Sequence, residues 1–194
     1  MSARMDSGIT SIAGIQIPSQ DPVFLAIVAI HVVLGLACAI SGVFAMLAVK
    51  GPGRHPKAGS VYYWALAALF VSATVLSVTR WAEDYHLFIL GALAFGAAHL
   101  GRLARRRRAV QSLRLHIAMM GCSYVLLLTA FYVDNGKQLP LWRELPAWSY
   151  WALPTLIGAP LVIWAILRHP RVRVEGRASD LLATNRTTTT PHKP

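Results

Sequence analysis

Residues 23–49 read VFLAIVAIHVVLGLACAISGVFAMLAV, a run that contains no charged side chain. A helix needs roughly 20 such residues to cross a hydrocarbon core about 30 Å thick, because each residue adds about 1.5 Å. The run is also too long for the apolar core of a cleaved signal peptide, and no basic cluster stands directly before it. We therefore predict that it is retained as the first of several membrane-spanning helices.

Four further stretches have the length and apolar character of spanning helices. The chain of 194 residues is 55% hydrophobic and only 14% charged, which is more apolar than the usual soluble balance. The predicted spans follow residues 23–49 in chain order: 60–79, 85–103, 113–133 and 148–167. The fold class expected is an all-α integral membrane bundle of five transmembrane helices. Pro154 and Pro160 predict a kink in the fifth helix.

The predicted bundle, residues 23–167, divides the chain into three parts. Residues 1–22 form a polar N-terminal arm that we expect to be loosely ordered. Residues 168–194 are basic and end in a threonine-rich segment, which is typical of a disordered tail. Cys38 and Cys122 both fall inside apolar stretches, so the sequence gives no sign of a disulfide framework.

The positive charges are distributed unevenly between alternate loops. Of the 19 Lys and Arg residues, 15 fall in the loops 50–57 and 102–114 and in the C-terminal tail. Six of the eight acidic residues fall on the opposite side. Because Lys and Arg near span ends collect on the cytoplasmic side, we predict an outside N-terminus and a cytoplasmic C-terminus. The run GRLARRRR at 101–108 is then a topology anchor that attracts anionic lipid headgroups, and no nucleic-acid partner is needed to explain the net charge of +11.

Histidines are the side chains here that offer metal, haem or proton chemistry near neutral pH. The predicted topology puts His31 and His86 in the outer half and gathers His55, His99 and His116 at the inner boundary. A two-haem site on the third helix is disfavoured, because His86 and His99 are 13 residues apart and lie roughly 140° from alignment.

A single haem or metal site remains at the inner boundary. Its predicted donors are His116 and His55, with His99 as a further option and Met119 as a second ligand, since His and Met suit haem iron or copper. Ser123 or Tyr124 would supply hydrogen bonds around it. Histidines can also hydrogen-bond across helices with no ligand role, and that alternative stays open.

His31 belongs to a stripe of small residues on the first helix. Gly35, Cys38 and Gly42 follow it at offsets that keep all four within roughly 60° on a helix. Small residues let a second helix approach closely, within one chain or between the copies of a homo-oligomer. We therefore predict that His31 faces the bundle and not the lipid.

Three motifs resemble those of a family of bacterial integral membrane proteins without an established activity. They are KGPGRHPKAG at 50–59, HIAMMGCSY at 116–124 and WALPTLIGAP at 151–160. The resemblance covers roughly residues 25–167, and Pro56 departs from the arginine that the family commonly has there. It implies a bacterial cytoplasmic membrane location. The positions to which it draws attention are Lys50, Gly51, His55, Gly59, His116, Met119, Ser123, Tyr124, Asn135, Trp151, Pro154, Gly158 and Pro160.

Three functions are compatible with this sequence. In the first, His55, His116 and Met119 bind a haem or metal in a redox-linked role, and His31 lines the bundle. In the second, a small transporter or channel-like bundle uses His31 and the proline-containing fifth helix to line a polar path. In the third, the protein is a structural membrane component without catalysis.

Overall fold

Five long helices make up most of the computed structural model, which describes residues 10–12, 15–17, 21–50, 53–106, 109–140 and 142–169. All five are long and apolar enough to cross a membrane, which confirms the predicted fold class. A short 3-10 helix, Gly136–Gln138, follows the fourth. The five helices are α1 (Pro22–Leu47), α2 (Arg54–Thr79), α3 (Trp81–Arg105), α4 (Val110–Asn135) and α5 (Trp148–Arg168).

The N-terminal arm contains one element that the sequence analysis did not predict. Strands β1 (Thr10–Ile12) and β2 (Ile15–Ile17) pair antiparallel, with Ile12 opposite Ile15. Thr and Ile are β-branched and favour extended backbone, which is the signal that could have indicated this hairpin. Nearly all of the predicted tail, 168–194, lies outside the described residues.

Two helices begin at least four residues earlier than the predicted spans. Helix α2 starts at Arg54 and not at residue 60, because Gly53 takes a φ of 116° and reverses the chain. Pro56 fits in the first turn, where a backbone N–H has no partner inside the helix. Helix α3 starts at Trp81 and not at residue 85, directly after Arg80, which forms an ion pair with Glu83.

Successive helices pack antiparallel, and α1 also contacts α4. The Tyr124 hydroxyl donates a 3.1 Å hydrogen bond from α4 to the carbonyl oxygen of Ala39 on α1. We call the end that holds the α1/α2 turn, the α3/α4 turn and the C-terminus of α5 the basic end. The opposite end, which holds all the acidic side chains that the structure describes, is called the acidic end.

The bundle buries polar and small side chains and exposes large apolar ones. Ser41, Ser72 and Ser123 are buried, whereas Leu36 and Ile157 are about 60% exposed. This is the arrangement that a hydrocarbon solvent favours, since polar groups must find partners inside the protein. Tyr62 and Tyr63 are buried in the core. Only the neighbouring Trp64 is exposed.

The predicted stripe of small residues on α1 does face the bundle. Cys38 is fully buried, and a Cβ atom at Gly42 would lie 2.7 Å from Cδ2 of Tyr124. Helices α4 and α5 approach each other in the same way, because Gly158 leaves space for Val125. Pro154 and Pro160 lie within α5, which continues through both of them. These close contacts fix the register of the helices that carry the histidines.

Candidate functional site

Two histidines predicted to share a site lie next to each other at the basic end. The ring centroids of His55 and His116 are 6.4 Å apart, and the ring planes meet at 84°. His55 comes from the first turn of α2, and His116 comes from the second turn of α4. Both side chains are half-buried. The two histidines are 61 residues apart in the sequence, so their pairing depends on how α2 and α4 pack.

A backbone carbonyl fixes the His55 ring. Its Nδ1 lies 2.8 Å from the carbonyl oxygen of Ala45, in the last turn of α1. Because a carbonyl oxygen only accepts, Nδ1 must carry the hydrogen and donate it. In the neutral ring the lone pair is then on Nε2, which is the form of imidazole that binds a metal.

The His116 ring is fixed in the same way on the other side of the pair. Its Nδ1 lies 2.7 Å from the carbonyl oxygen of Gly101, near the end of α3. Nδ1 again donates, and Nε2 of the neutral ring carries the lone pair. Metal-binding histidines usually donate their other ring N–H to a carbonyl or carboxylate, which fixes both tautomer and orientation. Both rings of the pair thus have the tautomer that coordination requires.

Lys50 shares the carbonyl that His55 uses. Its Nζ donates to the carbonyl oxygens of Ala45, at 3.0 Å, and Met46, at 2.6 Å. These carbonyls belong to the last turn of α1, where no further helical N–H can reach the Met46 oxygen. Partial burial lowers the pKa of Lys50 from its ordinary value. Lys50 and His55, both in the first motif, therefore act together to cap α1.

The separation of the two rings is compatible with one bound ion. With metal–nitrogen bonds of about 2 Å, two imidazoles on one ion have centroids roughly 5 to 6.5 Å apart. At 6.4 Å the pair is at the wide end of this range. Among the described residues, no group of three or more His, Cys, Asp or Glu side chains could hold a metal. Any site here is thus built on two histidines and on donors of other types.

Met119 lies one turn beyond His116 on α4. If Gly101 carried a Cβ atom, that atom would lie 3.2 Å from the Cβ of Met119. Gly101 is the residue whose carbonyl accepts a hydrogen bond from His116. Met120 packs against the same glycine through its Cγ and Sδ. Met119 and Met120 therefore both pack against Gly101, on the side of the pair towards the middle of the bundle.

The structure places His31 away from the pair. Its Nδ1 lies 3.0 Å from Oγ of Ser72, which joins α1 to α2 and confirms that His31 faces the bundle. Fourteen residues separate His31 from Ala45 along α1, or about 21 Å at 1.5 Å per residue. His31 and the pair are therefore two separate features.

Two predicted neighbours of the histidines have other partners. Ser123 Oγ lies 2.8 Å from the hydroxyl of Tyr62, and Tyr124 bonds to Ala39. The prediction that they bond around the inner histidines is therefore wrong. Their partners are on α1 and α2 because Ser123 and Tyr124 lie two turns deeper than His116 along α4.

The remaining described histidines of α3 face different helices. His86 packs 6.0 Å from the Trp151 ring on α5, centroid to centroid, whereas Nδ1 of His99 lies 2.9 Å from the hydroxyl of Tyr63 on α2. This confirms that the two do not share a face of α3. His99 contacts Tyr63 and is not part of the carbonyl-fixed pair.

The groups that orient the two rings could not be found from motifs of side chains. Both are backbone carbonyls, of Ala45 and Gly101. One signal was present for Ala45, whose carbonyl lies in the last turn of α1, where acceptors without a helical partner collect.

Comparison of the chain with protein-family models, with curated proteins and with solved structures finds no match. The resemblance based on the three motifs therefore stays a prediction. The five long apolar helices fit the class of multi-pass membrane proteins.

Proposed function

We propose that this membrane protein binds a transition-metal ion between His55 and His116 and uses it in a redox-linked role. The observation that carries the proposal is the orientation of the two rings. They lie 6.4 Å apart, and each donates Nδ1–H to a backbone carbonyl of another helix. Each neutral ring therefore offers Nε2 as a donor, and the carbonyl bonded to Nδ1 fixes its tautomer.

Copper in its monovalent state suits this site best. Imidazole and thioether donors favour copper over hard cations such as Mg²⁺, and Met119 would supply the thioether. The ammonium of Lys50 shares the Ala45 carbonyl with His55, so a positive charge stands close to the site. A monovalent ion meets less repulsion from that charge than a divalent ion does.

An ion fits the site better than a haem. Met119 and Met120 fill the space against Gly101, on the side of the pair towards the middle of the bundle. A porphyrin between the rings would have to displace these side chains, whereas a single ion would not. Spectroscopy of the purified protein would separate the two cofactors.

The basic end is the side that we propose to face the cytoplasm of a bacterial cell. The support is the excess of Lys and Arg in the loops and tail of that end. The metal would then be bound close to the inner membrane surface.

The transport alternative has less support. It requires His31 and the proline-containing helix to line a polar path, yet His31 bonds to Ser72, and of the two prolines Pro154 is buried whereas Pro160 is exposed. The structural alternative has a definite basis, because each histidine of the pair joins two helices. The two roles of the pair can be separated by experiment.

The test is metal analysis of the full chain purified in detergent. Cells are grown with copper, zinc and iron supplied, and the protein is washed with a weak chelator. We expect about one copper ion per chain and no absorbance in the haem Soret region. In His55→Asn and His116→Asn the amide can still donate to the carbonyl in place of Nδ1–H, but it has no equivalent of Nε2. Each should lower the metal affinity at least about tenfold while the bundle stays folded.

His31→Asn is the matched control, since it makes the same change at a histidine about 21 Å along α1 from Ala45. It should keep the wild-type metal content. The proposal fails if no stoichiometric metal is found, or if the bound metal is unaffected by both variants of the pair.

A further inference from the structure

A second group of polar side chains lies on the outside of the bundle, between α2 and α3 at the basic end. It surrounds a cavity of about 170 Å³. We call this cavity the Arg102 pocket. Its lining residues are Tyr63, Trp64, His99, Arg102, Leu103 and Arg106. None of them belongs to the His55–His116 pair, so this pocket is independent of the proposed metal site.

Aromatic rings hold the Arg102 side chain in place. Its Cζ lies 4.4 Å from the centroid of the Tyr63 ring and 5.7 Å from that of Trp64. The Tyr63 ring is itself fixed by the 2.9 Å hydrogen bond between its hydroxyl and His99. Stacking occupies the face of a guanidinium and leaves the N–H groups in its plane for an acceptor. Arg102 is thus oriented before any ligand arrives.

No carboxylate neutralises the pocket within the described part of the chain. The ion pairs found there are Arg80–Glu83 and Arg143–Glu144, and both are at the acidic end. The two arginines of the pocket, Arg102 and Arg106, therefore present positive charge without an acidic partner among these residues. Guanidinium groups bind phosphate strongly, because their planar N–H groups match its oxygens.

Apolar side chains extend from the pocket towards the middle of the bundle. On α2, Val71 is exposed on the same side as Trp64, further towards the middle of the bundle. On α3, Leu100 and Leu93 are exposed in the same direction from Leu103. Val71 is 63% exposed, and Leu93 is 54% exposed. Val71 follows Trp64 by seven residues and Leu100 follows Leu93 by seven, so each pair lies on one face of its helix. A cationic pocket beside an exposed apolar surface matches a molecule with an anionic head and hydrocarbon chains.

We infer that the Arg102 pocket binds the phosphate group of an anionic phospholipid, whose acyl chains lie along Val71 and Leu100. Trp64 and Tyr63 are of the types that favour the level of lipid headgroups, which agrees with the position of the pocket near the ends of the spanning helices. A free phosphate would gain the contacts of the arginines but none from the exposed apolar side chains. The chemistry therefore favours a lipid over a soluble phosphate ester.

The test counts lipids bound to the full chain in detergent by native mass spectrometry. The chain is titrated with phosphatidylglycerol and, separately, with phosphatidylcholine that has the same acyl chains. Each arginine near a membrane surface contributes enough attraction for roughly a fivefold change in affinity. We expect phosphatidylglycerol to bind about tenfold more tightly than phosphatidylcholine, and Arg106→Gln to weaken it about fivefold. Arg102→Gln should do the same, and Arg102→Lys should keep most of the binding.

Arg105→Gln is the matched control, because Arg105 is exposed at the same helix end but does not line the pocket. It should leave the first bound phosphatidylglycerol unchanged. Among the described residues Arg106 makes no cation–π contact like that of Arg102, so its variant tests the pocket even if Arg102→Gln fails to fold. The inference is overturned if the two lipids bind equally, or if Arg106→Gln behaves like Arg105→Gln. Displacement of the lipid by equimolar glycerol phosphate would also overturn it, in favour of a soluble phosphate ester.

Discussion

The hydroxyl of Tyr62 lies 2.8 Å from Oγ of Ser123, and this hydrogen bond joins α2 to α4 in the buried centre of the bundle. Tyr62 is 2% exposed and Ser123 is fully buried, so water cannot replace either partner. The contact also sets the distance between the helices that carry His55 and His116. It is therefore a structural support for the candidate site, two turns away from it.

Ser123→Ala should destabilise the bundle by about 1 to 2 kcal/mol, because it leaves the Tyr62 hydroxyl buried without its partner. Tyr62→Phe should cost less, since the Ser123 hydroxyl can turn to a carbonyl of its own helix. The double variant should cost less than the sum of the two. Unfolding by SDS in mixed micelles, followed by circular dichroism, measures these differences. If the stability loss of the double variant equalled the sum of the two single losses, the two hydroxyls would not interact.

A methyl group at Gly42 should disturb the contact between α1 and α4. The added Cβ would lie 2.7 Å from Cδ2 of Tyr124, whose ring is tied to Ala39 by its hydroxyl. Overpacking of this kind costs about 1 to 3 kcal/mol, so we expect Gly42→Ala to lose that much stability in the same SDS assay. Gly96→Ala is the control, because a Cβ there meets no atom within 4 Å. It should be neutral or up to about 1 kcal/mol more stable, as Ala favours helix over Gly. Similar losses in both variants would contradict the close approach.

The sequence predicted the membrane bundle well because the bilayer imposes a simple rule. A span needs about 20 apolar residues, and 23–49 shows this without ambiguity. The meeting of His55 and His116 was predicted from the level of each residue in the membrane, since alternate loops return to the same side. The partners of Ser123 and Tyr124 were not predictable in this way. They depend on which helices become neighbours and on rotation about each helix axis, and hydropathy does not report either.

The starts of α2 and α3 were predicted too late for a local reason. Gly and Pro in the sequence at 51–56 suggested a loop, yet Pro56 is compatible with a first helical turn. Charged residues directly after Arg80 are typical of a solvated connection, yet Glu83 is favourable in the first turn of α3. Both cases show that residues typical of loops also begin helices.

The orientation of the bundle can be tested with two lysines at opposite ends. In a background with Cys38→Ala and Cys122→Ser, Lys57→Cys places a thiol at the basic end and Lys137→Cys places one at the acidic end. Both positions are exposed. We expect a membrane-impermeant maleimide to label Lys137→Cys in intact bacterial cells. Lys57→Cys should react only after the cells are permeabilised. The reverse pattern would refute a cytoplasmic basic end.

Lys50 offers a way to separate capping of α1 from metal binding. Lys50→Met removes two hydrogen bonds to the last turn of α1, which should cost about 0.5 to 1.5 kcal/mol of stability in the SDS assay. Lys57→Met is the control, because Lys57 is exposed at the same end and makes no ion pair or side-chain hydrogen bond within the described residues. It should change stability by less than about 0.5 kcal/mol.

The same variant should act in the opposite direction on the proposed metal site. Removing the ammonium beside His55 lowers the repulsion of a bound cation, so Lys50→Met should keep or raise metal affinity while it lowers stability. Metal analysis and SDS unfolding of one preparation would show both effects. If stability and metal content fall together, the metal depends on the intact cap of α1. If stability falls and metal stays at the wild-type level or above it, His55 holds the ion through its own ring, because its hydrogen bond to Ala45 is enough to orient Nε2.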